Sequence, residues 1–450
     1  MKRLQPYAPA IGIFCLALLV RLAYNLTVAR GYYPAFDARY YDTIAKNLLS
    51  AHCFCLTTGR TLTPTTDRAP LWPFIITIIY AITGPKNFYA RLFFCLLDAG
   101  GCVIIYLYAR DIFNKRIGLI AGVLAALYTG LFIYTGWLYT EALYTFFLLA
   151  FAYTLYLLQR TGKLRWAWLS GLCLALASLA RPNGFFMLGM LCVWAIIMIR
   201  ARMIPWRTVI KAVLLITLIT AGLIAPWTVR NYRIAHIFIP VATGSGVVLA
   251  GVYNDTALTD PALLGMWVPG NLIRPPIPHH AHPSYMGEKE NQAYALNWAR
   301  THLSSMPYLL SLHFINTWKP YTSEEGLPVR EFPDRTSSKI VWDLMQYMPI
   351  VVIALAALGL AVTWRKWKEL LIIYLILLLT IAQNIVFYGS MRFRAPIEPM
   401  LVILAAGAIG WFVYKEAGTL RSSLLNKGRS ATSSQNGETI ANATTETANR

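Results

Sequence analysis

Ten stretches of the 450-residue chain are apolar for long enough to cross a hydrocarbon core, at about 9–28, 88–109, 117–135, 138–158, 166–180, 184–199, 208–227, 346–364, 370–388 and 397–414. The polar segments between them differ in charge. Lys2 and Arg3, then Arg110, Lys115 and Arg116, then Arg160, Lys163 and Arg165, then Arg200, Arg202 and Arg207, then Arg365, Lys366 and Lys368 all fall on one side of a ten-span count. The positive-inside rule makes that side the cytoplasm. The pattern therefore predicts an all-α polytopic membrane protein, a bundle of about 10 (9–13) transmembrane helices with both termini cytoplasmic in a cell (inner) membrane.

Two long polar segments, 29–87 and 228–345, then face outward. Within the first, "LWPFIITIIYAITG" (71–84) is too short to span and would invert the basic loops if it did, so it is expected to be a re-entrant or surface helix. The expected organisation is a core module over 1–227 with its first outer loop at 29–87, and a small mixed cap on the outer face over 228–345. C-terminal transmembrane helices follow over 346–414, then a disordered cytoplasmic tail over 415–450. The tail is rich in Ser, Thr and Asn and has no apolar periodicity.

Composition narrows the function. With 57% hydrophobic and 13% charged residues the formal net charge of +20 is spread over membrane connectors, so no nucleic-acid partner is expected. No G-x-G-x-x-G after a strand and no Walker-type loop is present, so nothing cradles a nucleotide. Five of the seven cysteines (Cys15, Cys95, Cys102, Cys173, Cys192) lie inside apolar runs as small hydrophobes, and no disulfide framework is implied. Cys53 and Cys55, after His52, and the trio His279, His280 and His282 in "PHHAHP" lack the further ligands that a structural metal site needs. They read first as ordinary loop residues. The basic start followed by an apolar run lacks a small-residue cleavage site, so it reads as a retained first helix.

The stretch "FDARYYDTIAKNLL" (36–49) has helical periodicity, with Tyr40, Tyr41, Ile44, Ala45, Leu48 and Leu49 on one face and Arg39, Asp42, Thr43, Lys46, Asn47 and Ser50 on the other. This is an amphipathic helix at a membrane surface. Asp37 stands at its head. It is placed either to cap the helix or to carry chemistry. Topology brings other charges to the same outer face: Arg68 in "TDRAPLWP", Glu141 in "GWLYTEALY", Arg181 in "LARPNG", Arg230 and Arg233 in "APWTVRNYR", and Arg392, Arg394 and Glu398 in "SMRFRAPIEP". Charges at such depth are costly unless paired or hydrated, and Arg181, Arg392 and Arg394 also break the positive-inside rule. They read either as salt bridges holding the bundle or as a ring around an anionic ligand.

These segments, in this order, together with "ARDIF" leading into an apolar run, resemble bacterial membrane glycosyltransferases of the GT-C superfamily. The nearest group is the protein O-mannosyltransferase and lipid A aminoarabinose transferase-like family (glycosyltransferase family 39/83-like). The likeness covers about residues 9–414 and is strongest in the first 240. It implies a GT-C-type bundle with surface helices on its outer face. It also implies transfer of a sugar from a polyprenyl-phosphate donor to a glycan, lipid or protein acceptor. On the matching positions it implies Asp37 as the catalytic carboxylate and Arg68 as a basic donor-binding position. The mannosyltransferases carry an acidic pair where this chain reads Asp37-Ala38. The remaining outer-face residues, Arg181, Arg230, Arg233, Arg392, Arg394, Tyr41 and Glu141, are the further candidates for holding donor phosphate or substrate. Asp37 would act as base or anchor a divalent metal cation, with no cofactor otherwise implied. The competing function is a membrane transporter or lipid flippase, which would also need charges in a bundle, but internal repeats and mid-span breaks are not evident.

Overall fold

The computed structural model describes residues 7–277, 284–320, 331 and 339–413. His279, His280, His282 and the expected tail 415–450 lie outside the described residues. The chain begins with α1 (Ala8–Leu26), α2 (Phe36–Ala51), strands β1 (Cys55–Thr58) and β2 (Thr61–Pro64), and α3 (Leu71–Thr83). Next come α4 (Asn87–Ile112), α5 (Lys115–Leu127), a short α6 (Thr129–Phe132), α7 (Glu141–Thr161), α8 (Leu164–Ala180), α9 (Met187–Arg200) and α10 (Trp206–Ala235). Four further helices, α11 (Ser245–Val252), α12 (Asp255–Thr259), α13 (Glu288–Thr301) and α14 (Met306–Trp318), precede α15 (Lys339–Thr363) and α16 (Trp367–Phe387). The helical segment Met391–Val413, here α17, closes the described chain.

By length and hydropathy, seven of these segments can cross a membrane, or eight if α5 and its bent continuation count as one span. The difference from the expected ten has two sources. Leu164–Ala180 is apolar but 17 residues long, or about 26 Å at 1.5 Å per residue. Asp343–Phe387, counted as one span of 45 residues, would reach about 68 Å if straight. It is not straight. Its middle sits at the basic end of the bundle, where Lys366 Nζ donates to Ile112 O (3.0 Å) and Gln159 Nε2 to Lys368 O (2.6 Å). Its two ends return to the opposite end, Leu344 O accepting from Thr129 Oγ1 and Gln383 Nε2 donating to Asn183 O. The stretch therefore reverses at Trp364–Lys366 and supplies two of the expected crossings. The helix α10 also runs past the expected end of its span, carrying Arg230 and Arg233 on its last turns.

Helices approach closely where side chains are smallest. A Cβ at Gly171 of α8 would lie 3.1 Å from backbone atoms of Ile216 in α10, tighter than ordinary contact, so glycine favours that close approach. The bend after α5, 56° from α5 to Thr129–Gly136, leaves helix carbonyls without helical partners. The fully buried Arg21 supplies them, donating from Nη2 to Ala125 O (3.1 Å) and from Nη1 to Ala126 O, while Asp98 accepts from its Nε at 2.6 Å. This clamp sets where the chain re-enters the bundle as α7, and so where Glu141 lies.

The first loop folds as helix, hairpin, helix. β1 and β2 pair antiparallel, Cys55 opposite Pro64, and are the only strands among the described residues. Cys53 and Cys55 lie side by side at the hairpin's entrance. α3 is short and apolar and packs along α2 with Ile76 and Trp72 fully buried, as expected of a helix that does not span. In the second loop, Glu288 at the head of α13 accepts from Gly244 N (3.1 Å) and Gly246 N (3.0 Å). It thus caps the start of α11 from outside.

Candidate functional site

α2 forms as its periodicity predicts, but the N-cap position is Ala35 and no side chain caps the helix. Asp37 therefore is not a cap. Phe36, just before it, holds φ at 45°, a left-handed conformation that costs a bulky residue about 1–3 kcal/mol. Nor is Asp42 on the solvent face as its place in the pattern suggested. It is buried, accepting from Tyr80 Oη (2.6 Å) and from Lys46 Nζ (2.6 Å), and ties α2 to α3.

Each oxygen of Asp37 accepts from a different arginine: Oδ1 from Arg68 Nη2 and Oδ2 from Arg392 Nη1, both at 3.1 Å. Arg392 reaches a second carboxylate through its Nε, donating to Glu141 Oε1, and Arg181 Nη1 donates to the same oxygen at 2.8 Å. Glu141 is fully buried, and its Oε2 meets no hydrogen-bond partner among the described residues. Aromatic faces steer the guanidiniums. Arg68 lies 4.5 Å over Tyr40 and Arg392 4.3 Å over Tyr139, a geometry favourable to a planar cation. Tyr41 completes the wall, its ring 6.0 Å from the Arg68 guanidinium and its hydroxyl pushed up by burial.

Three guanidiniums thus meet two carboxylates, an excess of one positive charge in a low-dielectric place. Burial alone would raise the Asp37 carboxyl, but the guanidiniums of Arg392 and then Arg68 outweigh it and hold the group below its ordinary value. The side chain is 37% exposed, so the anion is accessible as well as held.

The structure separates the other candidates from this cluster. Arg394 is fully buried against Glu398 (2.6 Å), which also accepts from Tyr128 Oη, and its Nη1 donates to Thr317 O. It ties α14 to the start of α17. Arg230 donates to Thr65 O (2.6 Å) and Phe54 O (3.1 Å), so it anchors the hairpin. Arg233 is exposed on the last turn of α10.

A divalent cation does not fit this arrangement. Both Asp37 oxygens and one Glu141 oxygen are occupied by guanidiniums, and no cluster of three or more His, Cys, Asp or Glu suited to a metal occurs among the described residues.

Two features went unread in the sequence. Glu331 sits beside the cluster, buried, accepting from Tyr139 Oη at 2.9 Å, while its backbone O accepts from Tyr33 N. Burial pushes its carboxyl up to about 7 against the lowering effect of the Tyr32 and Tyr139 hydroxyls. Nothing in "VREFPDR" announces it. The second feature did carry a signal. Thr380, Gln383 and Asn384 stand at i, i+3 and i+4 in an otherwise apolar span, and they form one polar stripe on α16 beside Arg181.

Residues 67–228 match the family model described as dolichyl-phosphate-mannose-protein mannosyltransferase, a stretch that contains Arg68, Glu141 and Arg181. Among solved structures the chain is similar to the archaeal oligosaccharyltransferase AglB from Archaeoglobus fulgidus in complex with an inhibitory peptide and a dolichol-phosphate. That match has 11% identity and a TM-score of 0.56 over 93% of this chain and 52% of that one. The apo form of the Archaeoglobus fulgidus oligosaccharyltransferase gives 13% identity and a TM-score of 0.57 over 92% and 51%. ArnT from Cupriavidus metallidurans in the apo state matches at 14% identity and a TM-score of 0.41 over 88% and 76%. The chain spans about half the length of the oligosaccharyltransferase chains it matches. A search of curated protein sequences finds no match. At these identities the likeness is one of fold alone: the chain shares the helical membrane fold of these oligosaccharyltransferase structures.

Proposed function

We propose that this GT-C-fold protein is a membrane glycosyltransferase that moves a sugar from a polyprenyl-phosphate donor to a glycan, lipid or protein acceptor at the outer face of a cell membrane. The observation that carries the reading is Asp37 held between Arg68 and Arg392, with Arg181 one carboxylate away. The excess positive charge suits a phosphate. An arginine fork binds phosphate oxygens in pairs where a lysine offers only a point charge.

The same geometry supplies a sequence of events. In the resting cluster Asp37 is a weak base because two guanidiniums hold its charge. A donor phosphate arriving between Arg68, Arg181 and Arg392 competes for those guanidiniums and leaves the carboxylate more basic. Asp37 then takes the proton of the acceptor hydroxyl or amine as that atom bonds to the sugar's anomeric carbon. The bond from that carbon to the phosphate oxygen breaks, and its electron pair leaves with polyprenyl phosphate. The arginines stabilise the charge that develops on the leaving oxygen. No step requires a metal.

Placement at the outer face rests on charge asymmetry. The basic connectors gather at the end of the bundle opposite the cluster, around Ile112, Gln159, Lys366 and Lys368. The test uses purified protein in nanodiscs, supplied with polyprenyl-phosphate glucose or mannose and a cell-envelope extract as acceptor source. Polyprenyl phosphate released above an Asp37→Asn control is the expected result. The same protein reconstituted in vesicles, moving labelled lipid across the bilayer without cleaving it, would favour the transporter reading instead.

A further inference from the structure

Glu331 stands beside the arginine cluster, and the reaction described above gives it no role. It is 3% exposed, and its neighbours come from three separate parts of the chain. Tyr139, just ahead of α7, donates its hydroxyl to Oε1 at 2.9 Å. Tyr32, between α1 and α2, sets its hydroxyl against the same carboxyl while accepting from Leu138 N at 3.2 Å. The backbone N–H of Ala35 also faces the carboxyl, and Tyr33 N donates to Glu331 O at 3.3 Å. Arg392, at the start of α17, lies with its guanidinium 4.3 Å from the centre of the Tyr139 ring whose hydroxyl Glu331 holds. Tyr32, Tyr139 and Arg392 are thus the titratable or charged groups that face Glu331 among the described residues, with Asp37 and Glu141 one step behind on Arg392.

The charge around the donor site depends on this carboxyl. Arg68, Arg181 and Arg392 face Asp37 and Glu141, which leaves one positive charge in surplus. An ionised Glu331 is a third carboxylate and cancels that surplus, whereas a protonated one leaves it intact. The surplus is what draws a phosphate into a place where each guanidinium already has a carboxylate partner. Ionisation of Glu331 is costly, because the group is buried and its Oε2 meets no hydrogen-bond partner among the described residues. Burial accordingly raises the carboxyl to about 7. Burial also pushes the Tyr32 and Tyr139 hydroxyls up, while against burial the arginines hold Asp37 below its ordinary value, so none of those three changes charge near neutrality.

Resting on the glycosyltransferase reading above, we propose that Glu331 is a positioning residue for the donor phosphate: acting through Tyr139 and Arg392, its protonated form leaves the arginine cluster able to take the phosphate, and its ionised form weakens that hold. The linkage has a definite sign. A donor phosphate brings a negative charge and draws Arg392 away from its share in stabilising an ionised Glu331. Both effects favour the neutral carboxyl, so donor binding takes up a proton and weakens as pH rises through about 7. A polyprenyl-phosphate sugar is a phosphodiester whose own charge is constant in that range, so the dependence belongs to the protein.

The experiment measures binding of polyprenyl methyl phosphate to the purified protein in phosphatidylcholine nanodiscs at about pH 6 and about pH 8.5, on either side of the Glu331 transition. This probe is a phosphodiester like the donor but carries no sugar, so the result does not depend on which sugar the protein takes. Wild-type protein should bind it ~10-fold more weakly at the higher pH, a typical coupling between two sites. Glu331→Gln should bind at both pH values as wild type does at the lower one. Tyr139→Phe keeps the ring under Arg392 but removes a hydroxyl that lowers the Glu331 carboxyl, so the midpoint of the pH dependence should move upward. A wild-type affinity that is level across the range, or a Glu331→Gln variant that keeps the wild-type slope, would overturn the proposal. So would a Glu331→Gln variant weaker than wild type at both pH values, the mark of a merely structural contact. Failure of wild-type protein to bind the probe at either pH would instead sink the glycosyltransferase reading on which the proposal rests.

Discussion

Arg392 bridges Asp37 and Glu141, donating from Nη1 to one carboxylate and from Nε to the other while its guanidinium lies over the Tyr139 ring. A single planar cation thus sets the separation of the two acidic groups, and it is the natural point at which an arriving phosphate would compete. Arg392→Lys keeps the charge but cannot span both partners. Transfer should fall roughly 10²-fold or more, as for other losses of a transition-state contact, with the protein still folded. Steady-state kinetics together with a detergent melting curve check this. A rate near wild type would show that the bridge is structural only.

Asp37→Asn removes the charge without altering shape. Because no side chain caps α2, helix stability should change little. The rate should drop roughly a hundredfold or more, as loss of a general base does. The donor KM should hold or fall, since the site then carries two excess positive charges. The arginines hold the carboxyl below its ordinary value, so it stays ionised in the free enzyme across neutral pH. The profile of kcat/KM should therefore show no acid limb from this group above about pH 5.

Glu331 gives the opposite pH behaviour. Its folded value, raised to about 7, lies above its ordinary 4.5, so its contribution to stability is full below the unfolded value and is lost as pH rises through about 7. Glu331→Gln mimics the protonated form at every pH. The variant should melt with wild type at about pH 4.5 and above it at about pH 8. A constant difference across that window would place the titration elsewhere.

Arg394 and Glu398 form a fully buried pair outside the cluster. Arg394→Met strands Glu398 and should cost about 3–5 kcal/mol of stability. The double variant Arg394→Met, Glu398→Leu should recover much of it, and the rate per folded molecule should stay near wild type in both. Selective loss of donor binding in the double variant would return Arg394 to the substrate site.

Orientation is open to chemical labelling. The hairpin tip at Arg60 and the α13 surface at Asn297 are exposed at the site end, and Lys163 is exposed at the basic end. Arg60→Cys and Asn297→Cys should react with an impermeant maleimide in intact cells, and Lys163→Cys should not. The reverse pattern would move the site to the cytoplasmic face.

The sequence by itself determined what depends on neighbours along the chain. Apolar length marks the helices, basic connectors mark one end of the bundle, and the period of "FDARYYDTIAKNLL" marks α2 with Asp37 at its head, because hydrophobic burial and backbone hydrogen bonding act over one or two turns. It also placed Asp37, Arg68, Glu141, Arg181 and Arg392 on one face by counting crossings. Tertiary structure decided which of those charges meet. Asp37 and Arg392 are 355 residues apart, and Arg392 and Arg394, two positions apart with the same local pattern, end in separate ion pairs. Local periodicity cannot distinguish them, because a guanidinium's partner is set by the helix that packs opposite it. The same physics made Asp42 a buried tie and not a polar-face residue, turned Asp343–Phe387 back on itself at Trp364–Lys366, and brought Glu331 beside Tyr139. Each outcome is a contact between distant segments, stabilised only once the bundle has closed around it.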